Sequence, residues 1–213
     1  LHLIPGVIDD QVHFREPGMT HKEDFVTGSR ACAKGGGTTF LDMPNNDPST
    51  TTQGLLEEKL TLASKDSMVN YGFYIGATND NIQELKNAKR TPGIKIFMAA
   101  STGDLLLSDP EQIERIFASG DRPIVVHSKD EATIQANRER YADSVNPEDH
   151  MRIHSADAAL EATRFLVRMA KKHNRRVHIL HLTTRQEVEF LREEGKDGLV
   201  GLEVCPQHFF LRA

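Results

Sequence analysis

Cysteine is scarce in this sequence: Cys32 and Cys205 are the 2 present in 213 residues. Two thiols make no disulfide framework, so both read as small apolar residues in a chain suited to a reducing cytoplasm. An excess of basic charge is also missing. The 26 Lys and Arg against 31 Asp and Glu leave a net charge of -5, which argues against a nucleic-acid surface or a basic membrane patch. No apolar run approaches the roughly 20 residues of a membrane span, and no signal-peptide pattern opens the chain. Nor does a G-x-G-x-x-G follow the first strand-like run, which disfavours a dinucleotide-binding open sheet. The expectation is a cytoplasmic globular protein with neither nucleic acid nor membrane as partner; a homo-oligomer stays open. The first residue is Leu, and the chain stops at Leu211-Arg212-Ala213 just after an apolar run, so both ends read as cut from a longer protein.

What is present is a regular alternation of apolar runs and stop signals. The opening strand carries Leu3, Ile4, Val7 and Ile8, and a short helix over 25–34 ends at Gly35-Gly36-Gly37. Thr38 to Met43 reads as the second strand, halted by Pro44. Leu56, Leu60 and Ala63 put one apolar stripe on a helix over 51–63. Strands are predicted over 70–75 and 93–98, with a helix over 81–88 between them. Asp109-Pro110 sets an N-cap, with Gln112 as capping-box partner. A fifth strand covers 123–127, and the polar stretch 128–154 reads as a short helix and a mobile loop. Ser155 opens the most periodic helix; 176–182 is a sixth strand, Thr184-x-x-Glu187 a capping box for a helix ending at Gly195, and 199–205 a seventh strand. Strand-helix alternation repeated in this way is the pattern of a parallel β/α protein. Its pace fits a (β/α)8 barrel, which typically needs about 250 residues. The chain therefore reads as a single incomplete barrel domain over 1–213, with the eighth strand beyond Ala213.

Some residues fit no core. In Pro5 to Gly18, PGVIDDQVHFREPG, strand alternation puts Asp9, Gln11, His13 and Arg15 on one face and Asp10, Val12 and Phe14 on the other. An acid, an amide, an imidazole and a guanidinium at the carboxyl end of a parallel strand read as a site. Lys95 sits in the apolar strand GIKIFM, where a bare ammonium costs several kcal/mol unless paired or neutralised. A lowered pKa would let its neutral amine take up carbon dioxide as a carbamate; a strand-end lysine reaching solvent or an ion pair is the plainer alternative. His127 closes PIVVH, and His181 follows Val177 and Ile179 with the same parity; His178 has the opposite parity and is expected to pack against or between helices. Imidazoles at equivalent strand ends suit zinc and related divalent metals.

Taken in order, PGVIDDQVHFREPG, FLDMPNNDPST, GIKIFM, IVVHSKDE, VHILHL and LEVCPQHFFL resemble the amidohydrolase superfamily, and the dihydroorotases within it, over nearly the whole chain. The resemblance implies a zinc-dependent barrel of the metal-dependent hydrolase type that interconverts dihydroorotate and N-carbamoyl-aspartate in pyrimidine synthesis. It implies His13, Lys95 (carboxylated), His127 and His181 as ligands of one or two zinc ions. It also implies Arg15 and Asn45 as anchors of the substrate carboxylate. Arg15 paired with Glu16 or Asp24, and Asn45 as a turn residue after Pro44, are the plainer alternatives.

The chain departs from the family pattern in places. Gln11 stands where the first histidine of a His-x-His pair is expected, and Gln207 where many relatives have a histidine before His208. A neutral amide is a poor zinc ligand, so one metal position is weakened or lost. The late aspartate expected as ligand and proton shuttle would lie beyond Ala213, leaving no catalytic acid or base assigned within the chain, and the family's terminal β-sandwich is missing. Dihydropyrimidinase and allantoinase are the neighbouring activities, and a non-catalytic subunit partnering a transcarbamoylase is the alternative of another class.

Overall fold

The computed structural model describes residues 2–99 and 104–211. They fall into two compact units. The first runs to Lys95 and includes the segment ending at Leu105; the second holds the segment starting at Ile96 and the chain from Leu106 onward.

In the first unit, β1 (Val7–Val12), β2 (Gly37–Asp42) and β3 (Asn70–Phe73) form a parallel sheet in that order. Val12 pairs with Asp42 and Asp42 with Phe73, so the carboxyl ends of the three strands lie level. Helices α1 (Phe25–Lys34) and α2 (Gln53–Asp66) cover it. Each starts at a side-chain cap: Asp24 accepts from the Thr27 N–H, and Thr52 from the Leu55 N–H. The predicted stripe of Leu56, Leu60 and Ala63 is buried with Phe14, Phe25, Phe40 and Phe73. The Phe14 and Phe40 rings lie 4.6 Å apart. A Cβ at Gly28 would stand 2.8 Å from the Phe14 ring, so α1 approaches this closely only with glycine there.

The strand predicted over 70–75 divides. At Tyr74 the chain leaves β2, and β4 (Ile75–Gly76) pairs with β5 (Ile94–Phe97), Gly76 opposite Lys95. The run is equally apolar on both sides of Tyr74, so its composition does not mark the change of partner. The opening strand is likewise shorter than predicted, and Leu3 and Ile4 are exposed.

In the second unit, β6 (Ile124–His127), β7 (Val177–Ile179) and β8 (Val200–Leu202) are parallel, with Ile124 opposite Val177 and Val177 opposite Val200. Helix α4 (Pro110–Phe117) follows α3 (Ile82–Asn87) in the chain and is capped by Asp109, which accepts from the Glu111 N–H. The capping box expected with Gln112 does not form, because the Asp109 carboxylate turns to the N–H one residue earlier. The polar stretch predicted as a short helix and a mobile loop holds two helices, α5 (Glu131–Arg140) and α6 (Asp149–Ile153). Asp130 caps the first, and the Asn137 amide donates to the Ile153 carbonyl. Helix α7 (Ala156–His173) buries Ala158, Ala162, Leu166 and Met169, and Asn174 ends it in the left-handed conformation. Helix α8 (Arg185–Glu194) begins with the predicted capping box, formed in both directions by Thr184 and Glu187. Among the described residues, no helix is long and apolar enough to cross a membrane.

Candidate functional site

The site residues of the first unit converge on Asn45. His13 lies one residue past β1, and its Nδ1 is 2.7 Å from Asn45 Oδ1. A carbonyl oxygen only accepts, so Nδ1 carries the proton and Nε2 presents the lone pair. Arg15 has a φ of 68°, which interrupts the strand alternation that grouped it with His13. Even so, its Nη1 donates to the Asn45 carbonyl at 3.0 Å. The carboxylates offered as alternative partners for Arg15 serve α1: Glu16 accepts from the Phe25 N–H and Asp24 from the Thr27 N–H. Asn45 itself is buried, in a turn that follows Pro44.

Lys95, on β5, is 0% exposed. Burial, helped by the Arg15 and Lys95 charges and opposed by the Asn45 hydrogen bond and the Asp42 charge, lowers the His13 pKa to about 4. Neutral imidazole is the form that binds a metal. In the metal-free protein the unfolded chain, with a histidine pKa of about 6.5, binds more protons than the folded one between that value and 4. The stability tied to His13 is therefore complete above pH 6.5 and is lost as the pH falls toward 4, by at most about 3 kcal/mol. An NMR titration of the His13 ring checks this; a midpoint near 6.5 would contradict it.

In the second unit His127 is the last residue of β6 and His181 lies two residues past β7. Their rings meet edge to face, with His127 Nδ1 2.9 Å from His181 Nε2. His181 has a φ of 39°, a left-handed conformation costing about 1–3 kcal/mol in a residue with a Cβ. Strand parity alone therefore does not place it. Glu203, which neither parity nor motif singles out, helps to hold it: one oxygen accepts from the His181 N–H at 3.3 Å and the other lies 3.2 Å from His178 Nε2. His178 thus meets Glu203 and packs over Gly201 of β8, contrary to the expected position against helices. The sequence does carry a signal for Glu203, since a carboxylate between Leu202 and Val204 is the same kind of anomaly as Lys95.

A buried network joins the segments that follow the two histidines. Glu187 accepts from Thr163 Oγ1 at 2.8 Å and from Thr184 Oγ1 at 2.8 Å, and the Ser128 hydroxyl lies 3.2 Å from Thr163 Oγ1. Truncation at Glu187, which is 2% exposed, strands those groups. Glu187→Ala should cost about 2–4 kcal/mol. Urea unfolding measures it; a loss below about 0.5 kcal/mol, the level of an ordinary surface substitution, would contradict the network's role.

Gln11 does not act as a second histidine would. Its N–H donates to Asp9 Oδ1 at 3.1 Å, and its neutral amide offers a weak ligand. Gln207 is exposed in the short 3-10 turn Pro206–Phe209, where His208 Nδ1 accepts from the Cys205 N–H.

The chain is matched over residues 2–211 by the model of the amidohydrolase family. It belongs to that family. Its members are generally metal-dependent, and the donors here suit a metal. His13 is held neutral with Nε2 available. His127 and His181 converge to 2.9 Å, near the roughly 3.4 Å between neighbouring nitrogens on a tetrahedral zinc ion. Among relatives, a dihydroorotase of Methanosphaera stadtmanae is 32% identical, with 98% of this chain and 49% of that protein covered. An allantoinase of Streptomyces avermitilis is 34% identical, covering 99% and 49%. The structure of the L-hydantoinase (dihydropyrimidinase) from Arthrobacter aurescens matches with a TM-score of 0.88 and 27% identity, over 95% of this chain and 47% of that one. The expected fold class, a β/α barrel of the metal-dependent hydrolase type, is borne out. The chain spans about half the length of the relatives it matches.

Proposed function

We propose that the protein is a dihydroorotase, a cytoplasmic cyclic amidohydrolase interconverting dihydroorotate and N-carbamoyl-aspartate in pyrimidine synthesis. The observation that carries this reading is the junction of Arg15, Asn45 and His13, where a guanidinium stands beside a candidate metal ligand. A guanidinium gives a planar carboxylate two parallel charge-assisted donors, and the Asn45 amide adds another. The ring carboxylate of dihydroorotate provides a partner for that guanidinium; dihydrouracil and allantoin lack one.

His13, Lys95, His127 and His181 are the residues we assign to one or two zinc ions. When bound, zinc supplies Lewis-acid polarisation of the scissile amide and a nucleophile from water at neutral pH. The part of the chain itself is to present neutral imidazoles, to keep the Lys95 amine away from bulk water and to hold the substrate carboxylate at Arg15. Carboxylation of Lys95 would join its neutral Nζ to the carbon of carbon dioxide and release one proton, turning a buried amine into an anionic ligand. With Gln11 standing where a ligand histidine is expected, one metal position is weaker than the other.

Allantoinase is the second reading, favoured by the Streptomyces avermitilis relative. Comparing kcat/KM for dihydroorotate, allantoin and dihydrouracil on the full natural chain separates them. Dihydroorotate should be preferred by about 10²-fold or more, the discrimination expected when a site built for a charged group meets substrates without it. A preference for allantoin would replace the proposal with that second reading.

A further inference from the structure

Beside the Arg15, Asn45 and His13 junction lies a buried ionic network that the proposed chemistry does not use. Lys59 of α2 is 0% exposed and sits within the apolar stripe of that helix, three residues beyond Leu56. Its Nζ forms an ion pair with Asp42 Oδ2 at 2.7 Å and donates to the Met43 carbonyl at 2.9 Å and to Asn46 Oδ1 at 3.0 Å. One carboxylate oxygen and two carbonyl oxygens thus surround the ammonium. The Phe73 ring centroid lies 4.9 Å from Nζ, which favours a cation further. The second oxygen of Asp42 accepts from the Phe14 N–H at 2.8 Å. Asn46 donates from Nδ2 to the Pro48 carbonyl at 2.9 Å and accepts from Thr50 Oγ1 at 3.1 Å.

The places where this network grips the chain decide what it can do. Phe14 stands between His13 and Arg15, while Met43 and Asn46 bracket Pro44 and Asn45. One carboxylate and one ammonium thus tie the end of β1 to the turn after β2, on either side of the side chains that meet each other. An ion pair of this kind is a poor way to gain stability, because removing both charges from water costs about as much as their attraction returns. An apolar pair of similar volume would fill the space as well, but would fix neither the Phe14 N–H nor the Met43 carbonyl. The arrangement therefore carries geometric information that packing alone would not.

We propose that Lys59 and Asp42 form a positioning pair, which holds the end of β1 and the Asn45 turn so that His13 keeps one tautomer and Arg15 one orientation. Neither residue is among those assigned to the metal or the substrate carboxylate. The proposal rests on the reading of Arg15, Asn45 and His13 as a site.

The test is the double substitution Asp42→Leu with Lys59→Met in the full natural chain, which removes both charges together. Unfolding by urea should stay close to that of the natural protein, while kcat/KM for dihydroorotate falls by about 10²-fold, the scale of a misplacement of about 1 Å. In the metal-free protein, the His13 ring nitrogens should change from a single Nδ1–H tautomer to a mixture by 15N NMR. Natural kinetics together with an unchanged tautomer would overturn the proposal. If the natural protein does not turn over dihydroorotate, the functional reading fails, and the tautomer measurement still decides the positioning role. Should the double variant not fold, Asn46→Ala keeps the ion pair and removes one of its holds on the turn. It should raise KM by about 10-fold or more and loosen the His13 tautomer; no change in either would overturn the proposal.

Discussion

Lys95→Ala should lose the bound metal and lower kcat by about 10³-fold or more, the scale of several kcal/mol of transition-state stabilisation. The expectation starts from position. Lys95 is 0% exposed on β5, opposite Gly76, and its charge acts on His13. If the side chain works as a carbamate, its function resides in a carboxylate at the end of an alkyl chain. A small acid such as acetate or propionate can then enter the space left by truncation and restore part of the activity. Metal analysis and kinetics with and without added acid check this. Unchanged activity in the variant would refute the carbamate role.

Arg15→Met should chiefly raise KM for dihydroorotate, by about 10-fold to 100-fold, as loss of a charge-assisted hydrogen bond worth about 1.5–3 kcal/mol requires. Methionine keeps much of the length and apolar stem while removing every donor. The variant should lose less against dihydrouracil, which has no carboxylate for Arg15 to hold. Steady-state kinetics on both substrates measure the split. A KM for dihydroorotate unaffected by the substitution would mean that its carboxylate binds elsewhere.

Features of the fold that depend on neighbouring residues are legible in the amino-acid sequence. The capping box of Thr184 and Glu187, the stripe of Leu56, Leu60 and Ala63, and the end of α1 at Gly35 all arise within a turn or two of chain. The change of partner at Tyr74 is not legible, because the choice between β2 and β5 is made by residues distant in the sequence. Parity has mixed success. It places Phe14 correctly opposite His13, with Phe14 in the aromatic core. It does not place Arg15 and His181, whose positive φ values interrupt the alternation on which parity rests.

The candidate site divides in the same way. Single residues out of keeping with their surroundings are visible: His13, Lys95, His127 and His181 each stand in or beside an apolar strand. The residues that hold them are harder to see. Asp42, Lys59, Glu187 and Glu203 act through hydrogen bonds to partners elsewhere in the chain, and a charge in a sequence does not show whether it faces water. Lys59 is the clearest case. Its place on the apolar stripe of α2 looks like an interruption until its acceptors are known.

The central claim is that a metal held by these histidines and Lys95 serves hydrolysis of dihydroorotate. The most direct test measures zinc content and dihydroorotate turnover together on the purified full natural chain. About one zinc per chain or more, with turnover lost on chelation and regained on zinc addition, is the predicted result. Less than about a tenth of a zinc per chain, with no turnover after zinc is supplied, would contradict it.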